Sequence, residues 1–197
     1  AVVEQEAVHG IPRHLLRAIS IAESGRWLGS RKATLAWPWT VTSGGKGTYY
    51  KSKSAAIRAV RKLQRRGVRN IDVGCMQINT KWHSEGFLKL ADMLDPTQNA
   101  DYAAGFLLDL HEAHQSWDDA VKHYHSAAPE KNVGYHRRVL AELERFLEAG
   151  ATSKAMGSLR EFGALAQAAL HVHYLPAADP HHIVLLQSST GLKRPIE

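Results

Sequence analysis

Apolar residues recur at three- and four-residue spacing over several stretches of the chain, which predicts a mainly α-helical fold. The first stretch spans 12–24. Pro12 suits the first turn of a helix there, and Gly25 suits the position just after its end. The residues that share its apolar face, and that we expect to be buried, are Leu15, Leu16, Ile19 and Ala22.

The same spacing predicts further helices at 54–66, 96–114, 117–124, 132–147 and 159–170. Asp95 and Ser116 are suitable N-caps for two of them. Short alternating runs at 39–42 and 47–50 flank the turn residues 43–46 and predict one small β-hairpin. The expected fold is therefore mainly α, with this hairpin in an insert between helices.

A change in composition near residue 150 divides the chain. Residues 1–149 carry the helical pattern and predict one domain, whereas 150–197 are richer in alanine, proline and histidine and predict a helix and a tail. The tail contains an apolar run at 183–186, which we expect to pack on this domain or on another chain.

Composition is typical of a globular protein, with 44% hydrophobic and 22% charged residues. No apolar stretch reaches the ~18 residues of a membrane span, so none is predicted. Cys75 is the single cysteine, which excludes an intramolecular disulfide and leaves both a reducing compartment and the periplasm open.

The chain is basic, with a formal net charge of +6 and an excess of lysine and arginine between residues 46 and 69. Such an excess suits a polyanionic partner, either nucleic acid or the carboxylates of a bacterial cell wall. A solvated helix face without a partner is the alternative. No nucleic-acid-binding motif accompanies the charge, so no nucleic acid is predicted as a partner.

Glu23 is the candidate acid, because it lies in the last turn of the first predicted helix. The C-terminal end of a helix carries negative partial charge, which disfavours a carboxylate there. Partial burial disfavours the charged form further, and both effects raise the pKa. A carboxylic acid that stays protonated near neutral pH is suited to general acid catalysis.

Four short motifs follow one another in the chain: Glu23-Ser24-Gly25, Gly74-Cys75-Met76-Gln77-Ile78-Asn79, Tyr124-His125-Ser126-Ala127 and Tyr135. In this order, between residues 8 and 147, they resemble the catalytic domain of the soluble lytic transglycosylases, the lysozyme-like enzymes that cut bacterial peptidoglycan. The segment 54–75 is similar to a branch of that family with a longer insert between the first two motifs.

The resemblance implies a lysozyme-like helical domain that cleaves the β-1,4 bond between N-acetylmuramic acid and N-acetylglucosamine. It implies that Glu23 acts first as acid and then as base, giving a 1,6-anhydromuramic product. It implies no cofactor and no metal. The residues it assigns to substrate binding are Ser24, Met76, Gln77, Asn79, Tyr124, His125, Ser126 and Tyr135.

Two positions depart from the family pattern, since Cys75 stands where leucine is usual and His125 where asparagine is usual. Both are expected near the substrate groove, with Cys75 as a small packing residue rather than a nucleophile. The Tyr124 hydroxyl is expected to point toward Glu23 or the substrate. Asp72 is the acid nearest to these motifs, and we expect it to cap or orient its loop.

Histidines in the tail, His171, His173, His181 and His182, lack the accompanying ligand spacing of a metal site, so none is predicted. By analogy, the expected setting is the periplasm after removal of a signal peptide. The expected role there is local opening of the wall for a flagellum or secretion apparatus. The tail would then dock a rod or secretion-system protein. A hydrolytic muramidase on the same fold and a non-catalytic wall-binding factor remain alternatives.

Overall fold

The structure is a computed structural model that describes residues 1–126 and 128–151 of the 197-residue chain. Within this part, residues Ala1–Glu148 form one compact unit. The predicted helix at 159–170, the apolar run at 183–186 and the tail histidines lie outside the described residues.

The described part is mainly α-helical, as predicted. Its seven helices are α1 (Val2–Val8), α2 (Leu15–Ser24), α3 (Lys53–Arg65), α4 (Leu90–Met93), α5 (Pro96–His114), α6 (Trp117–His125) and α7 (Pro129–Ala151). None of these helices is both long and apolar enough to cross a membrane.

Two small antiparallel sheets accompany the helices. The strands β1 (Gly25–Leu28) and β2 (Ala33–Ala36) form a hairpin directly after α2. The second sheet has the order β4-β3-β5-β6, from the strands β3 (Thr40–Ser43), β4 (Lys46–Tyr49), β5 (Asp72–Val73) and β6 (Ile78–Asn79). The predicted hairpin is confirmed as β3 and β4, while β1–β2 and the pairing of β5 with β6 were not predicted.

Local sequence signals explain the helix boundaries. The Asp95 side chain accepts hydrogen bonds from the backbone N–H groups of Thr97 and Gln98, and Pro96 follows at the first helical position of α5. Ser116 caps α6 in the same way, through the N–H of Asp119. Both N-caps are therefore confirmed.

The helix predicted at 12–24 is shorter than expected, because His14 adopts a left-handed backbone with φ of 70° and the helix begins at Leu15. Its buried face is mostly as predicted: Leu15, Leu16 and Ile19 are buried, while Ala22 is only partly so. The short helix α1 was not predicted. It packs against both α2 and α5, and buries Gln5 and Glu6.

The core is one contiguous apolar cluster that joins the inner faces of the helices to the loop between β5 and β6. Leu16 and Ile19 of α2, Leu107 and Leu110 of α5, and Met76 of the loop are all fully buried in it. Burial of side chains this large contributes about 1.5–3 kcal/mol each. The C-terminal end of α2 is thereby held against the loop, and this contact places Glu23.

Candidate active site around Glu23

Glu23 lies in the last turn of α2, as predicted, and is partly buried. Gly25 follows the helix with a non-helical backbone, and a side chain is excluded there because a Cβ would lie 2.5 Å from the Ile21 carbonyl oxygen. The chain then leaves directly into β1. The acid is therefore fixed at the junction between a buried helix and a small sheet.

Burial raises the pKa of the Glu23 carboxyl from an ordinary 4.5 to about 8. The Tyr135 hydroxyl acts against this by lowering the pKa, the charge of Asp72 raises it further, and Arg138 lowers it. Glu23 is consequently protonated at neutral pH, which is the state that a general acid requires.

Tyr135 of α7 is fully buried in the core. Its hydroxyl lies close enough to Glu23 to lower the pKa of the carboxyl. Among the described residues, that hydroxyl has no hydrogen-bond partner of standard geometry. Burial and the Glu23 charge both raise the pKa of Tyr135, so it remains a neutral donor. Tyr135, which the resemblance assigned to substrate binding, therefore lies beside the acid, a position that was not predicted.

The imidazole of His125 stacks on the Tyr135 ring, with centroids 4.6 Å apart and an angle of 12° between the planes. The guanidinium of Arg138 approaches the same ring at 5.6 Å. Burial first, and then the charges of Arg138 and Lys131, lower the pKa of His125. The imidazole thus packs on the tyrosine beside the acid, while part of the His125 residue stays exposed.

The loop from Gly74 to Asn79 is organised by a residue that the sequence motifs did not include, Asn99 of α5. Its Oδ1 accepts from the N–H of Met76 at 2.9 Å, and its Nδ2 donates to the carbonyl oxygens of Val73 and Met93. Gly74 has φ of +87°, and a Cβ there would lie 2.4 Å from the Asn99 side chain. The Asn99 side chain therefore fits against the loop only because residue 74 is a glycine.

Several residues assigned to substrate binding turn out to stabilise this loop instead. Ser24 is buried, and its hydroxyl donates to the Cys75 carbonyl oxygen at 2.7 Å and to that of Ser20. Met76 is fully buried and cannot meet a sugar ring, so its assignment was wrong. Its carbonyl oxygen accepts from the Tyr124 hydroxyl at 3.0 Å, so this hydroxyl donates to the loop and not to Glu23 as expected. Tyr124 still lies near the acid, since burial and then the Glu23 charge raise its pKa.

Gln77 and Asn79 lie at the accessible end of the same loop. Gln77 has a left-handed backbone with φ of 49°, and its amide donates to the Gly74 carbonyl oxygen at 2.9 Å. Asn79 donates to the Asp72 carboxylate at 2.7 Å and also to Asn70. Asn79 thereby orients Asp72, while the Gln77 side chain remains partly accessible for a ligand.

Two further motif residues have structural roles. Ser126 accepts from the N–H of Ala128 at the start of α7 and so helps to begin that helix. Cys75 is buried rather than facing a groove, and its thiol donates to Asn99 Oδ1 at 3.3 Å. Burial raises the pKa of the Cys75 thiol to about 11, which agrees with the expectation of a packing residue.

Asp72 acts on Glu23 electrostatically, a role that the sequence did not indicate. It lies on β5, opposite Thr42 and Asn79, and its charge acts on Glu23. Burial raises the pKa of Asp72, while the hydrogen bond from Asn79 lowers it. Asp72, Arg138 and Asn99 are the residues near the acid that sequence reasoning left out or underrated; only Asn99 carried a signal, as a polar residue on an apolar helix face.

Comparison of the chain with protein-family models, with curated proteins and with solved structures finds no match. Within residues 1–126 and 128–151, no cluster of three or more histidine, cysteine, aspartate or glutamate side chains is arranged to hold a metal ion. Any function assigned to this site therefore depends on its geometry and on the resemblance of its motifs to those of the lytic transglycosylases.

Proposed function

We propose that the protein is a peptidoglycan lytic transglycosylase of lysozyme-like fold, with Glu23 as its acid and base. The observation that carries the proposal is the placement of Glu23 in the last turn of α2 beside the buried Tyr135 side chain, where burial raises the pKa of the carboxyl to about 8. The order of the four motifs, which resembles that family, supports the same assignment.

In the proposed reaction, Glu23 donates its proton to the glycosidic oxygen as the bond from C1 of the muramic sugar breaks. The resulting carboxylate then takes the proton of the C6 hydroxyl of the same sugar, and O6 closes on C1. No water is consumed, and Glu23 returns to its protonated form. The Tyr135 hydroxyl, which is uncharged and close to the carboxyl, stabilises the ionised Glu23 between the two steps.

Exposed cations on α3 support a polyanionic substrate. Ala56 and Val60 form the buried face of this helix, while lysine and arginine side chains occupy its exposed positions. Peptidoglycan strands carry carboxylates on their peptide stems, and long-range attraction between opposite charges favours their encounter with this surface.

A hydrolytic muramidase is the second candidate, and Asp72 is the observation that favours it. Glycosidases that use water generally need two carboxylates, and the charge of Asp72 already acts on Glu23. In the transglycosylase reaction Asp72 has no chemical step, whereas in hydrolysis it could activate the water.

Digestion of purified peptidoglycan followed by mass spectrometry distinguishes the two reactions, because hydrolysis adds one water to the product. We expect 1,6-anhydromuramic ends from the wild type and from Asp72→Asn. Reducing muramic ends that disappear in Asp72→Asn would establish the hydrolase instead. Absence of any released muropeptide from the folded wild type would contradict both and favour the non-catalytic wall-binding factor.

We further propose that the enzyme works in the periplasm, where it opens the wall locally for an envelope-spanning apparatus such as a flagellum or a secretion system. The segment 150–197 would then dock a rod or secretion-system protein. Co-purification of the full chain and of a form ending at residue 149 with envelope proteins tests this role. Equal recovery of the same partner by both forms would exclude docking through the segment.

A further inference from the structure

Arg26 lies three residues after Glu23 and is held between aromatic rings. Its guanidinium carbon is 4.4 Å from the centroid of the Trp37 ring and 5.5 Å from that of Tyr49. Among the residues that the structure describes, no carboxylate forms an ion pair with Arg26. The cation is therefore positioned by ring faces, while the donors at the edge of its plane are left for another acceptor.

Both rings are fastened to the backbone around the acid. The Tyr49 hydroxyl donates to the Gly25 carbonyl oxygen at 2.8 Å. The backbone N–H of Trp37 donates to the Ser24 carbonyl oxygen at 3.0 Å, and its indole N–H donates to that of Tyr50 at 2.6 Å. These bonds fix the rings before any ligand arrives, so the guanidinium loses little freedom on binding.

The position of Arg26 suits a substituent of the substrate rather than the proton transfer itself. Arg138 is the cation whose charge lowers the pKa of Glu23. Arg26 instead follows the acid as the second residue of β1, and a span of three residues reaches at most about 10 Å even when fully extended. A substituent of the sugar bound next to Glu23, or of the adjacent sugar in the strand, would lie within reach of the guanidinium.

We propose that Arg26 is a carboxylate-binding residue that recognises an acidic substituent of the glycan strand beside the scissile bond. The planar fork of a guanidinium matches a carboxylate through two parallel hydrogen bonds, and the aromatic faces hold the fork in place. This inference deepens the proposed function and depends on it for the identity of the polymer. Two sources share the chemistry, the lactyl carboxylate of a muramic residue that carries no peptide stem and the terminal carboxylate of a peptide stem.

Binding of defined ligands to Glu23→Gln tests the inference without turnover. The probes are N-acetylmuramic acid, its methyl ester, muramyl dipeptide, and the same dipeptide with its carboxylate amidated. NMR titration that follows the Trp37 indole N–H should give about tenfold tighter binding for an acid than for its neutral counterpart. The acid–ester pair reports the lactyl source, and the acid–amide pair reports the stem source.

A second substitution assigns the preference to Arg26. In the Glu23→Gln background, Arg26→Gln should remove the difference between acid and neutral ligand, and Arg26→Lys should retain part of it. Arg31→Gln is the matched control, because Arg31 is an exposed arginine in the turn between β1 and β2. We expect that variant to keep the full preference.

Equal binding of acid and neutral ligand by both pairs, with Arg26 intact, would overturn the inference even if Arg26→Gln proved unable to fold. The inference would also be overturned if Arg26→Gln kept the same preference for acidic ligands as Arg31→Gln. Arg26 would then serve only to join the β1–β2 hairpin to the β3–β4 hairpin. Failure of the proposed function looks different, because the carboxylate preference would persist in a protein that releases no muropeptide from peptidoglycan.

Discussion

Two regions near Glu23 use their polar groups differently, and we call them the loop side and the α7 side. In the loop from Gly74 to Asn79, the polar groups form internal hydrogen bonds. On α7, the Tyr135 hydroxyl has no standard hydrogen-bond partner among the described residues. The loop side is built to hold a backbone in place. The α7 side is built to act on the acid through the buried Tyr135 hydroxyl, and the His125 imidazole at the end of α6 stacks on the Tyr135 ring. Substitutions on the loop side should therefore change stability, and those on the α7 side should change catalysis.

The largest expected effect lies at the acid between the two sides. Glu23→Gln keeps the shape of the side chain but cannot deliver a proton, so clearance of peptidoglycan should fall by ~10²–10⁴-fold. Turbidity measurements with Glu85→Gln, an exposed glutamate, as the matched control check this. Activity above about a tenth of wild type in the folded variant would remove Glu23 from the mechanism.

On the loop side, Asn99→Ala should lower the free energy of unfolding by about 3 kcal/mol, because it leaves the Met76 N–H and the Val73 and Met93 carbonyls buried without partners. Urea denaturation measures the change. Asn70→Ala is the control, since Asn70 is exposed and should cost less than about 1 kcal/mol. Similar losses in both variants would mean that Asn99 does not organise the loop.

Two tyrosines provide a matched pair across the comparison. Tyr135→Phe should lower turnover by about tenfold while stability changes little, because its hydroxyl has no standard hydrogen bond in the described part of the chain. Tyr135 lowers the pKa of Glu23, so its removal should move the alkaline limb of the pH–rate profile to higher pH.

Tyr124→Phe, by contrast, removes the bond to the Met76 carbonyl oxygen and should cost about 1 kcal/mol of stability with the alkaline limb unmoved. Profiles of kcat/KM for both variants check the pair. A shift of the limb in Tyr124→Phe, and none in Tyr135→Phe, would exchange the roles of the two residues.

The smallest expected effect is a pH dependence of stability at Glu6 of α1, whose carboxyl lies against the start of α2. Burial raises the pKa of Glu6 from 4.5 to about 7, so the folded state holds this proton more tightly than the unfolded state. Its contribution is complete below about pH 4.5 and is lost as pH rises through 7. Glu6→Gln should flatten the fall in Tm between pH 5 and 7 by the equivalent of about 1 kcal/mol.

Glu23 has the same sign, with its loss extending to about pH 8, so the Glu6 effect is best measured in the Glu23→Gln background. Melting curves recorded at pH 5, 6 and 7 by circular dichroism provide the measurement. An unchanged slope on Glu6→Gln in that background would show that Glu6 is already ionised in the folded protein.

The helix ends could be predicted from sequence because they depend on local chemistry, as at Asp95 and Ser116. Glu23 was found for the same reason. The roles of Met76 and Tyr124 could not be, because the direction of a side chain at a loop or helix end depends on partners distant in sequence. Tyr124 and the Met76 carbonyl are 48 positions apart, for example. The same holds for the stacking of His125 on Tyr135 and for the aromatic support of Arg26.

The state of Cys75 has a practical consequence for spectroscopy. This thiol is the single cysteine of the chain, it is buried, and its pKa is raised to about 11. Maleimide and iodoacetamide probes react with accessible thiolates, so Cys75 should remain unlabelled in the folded protein at neutral pH. One cysteine introduced on the surface, for instance at Arg31, would therefore take a fluorophore or spin label at a unique position without any change to the native sequence elsewhere.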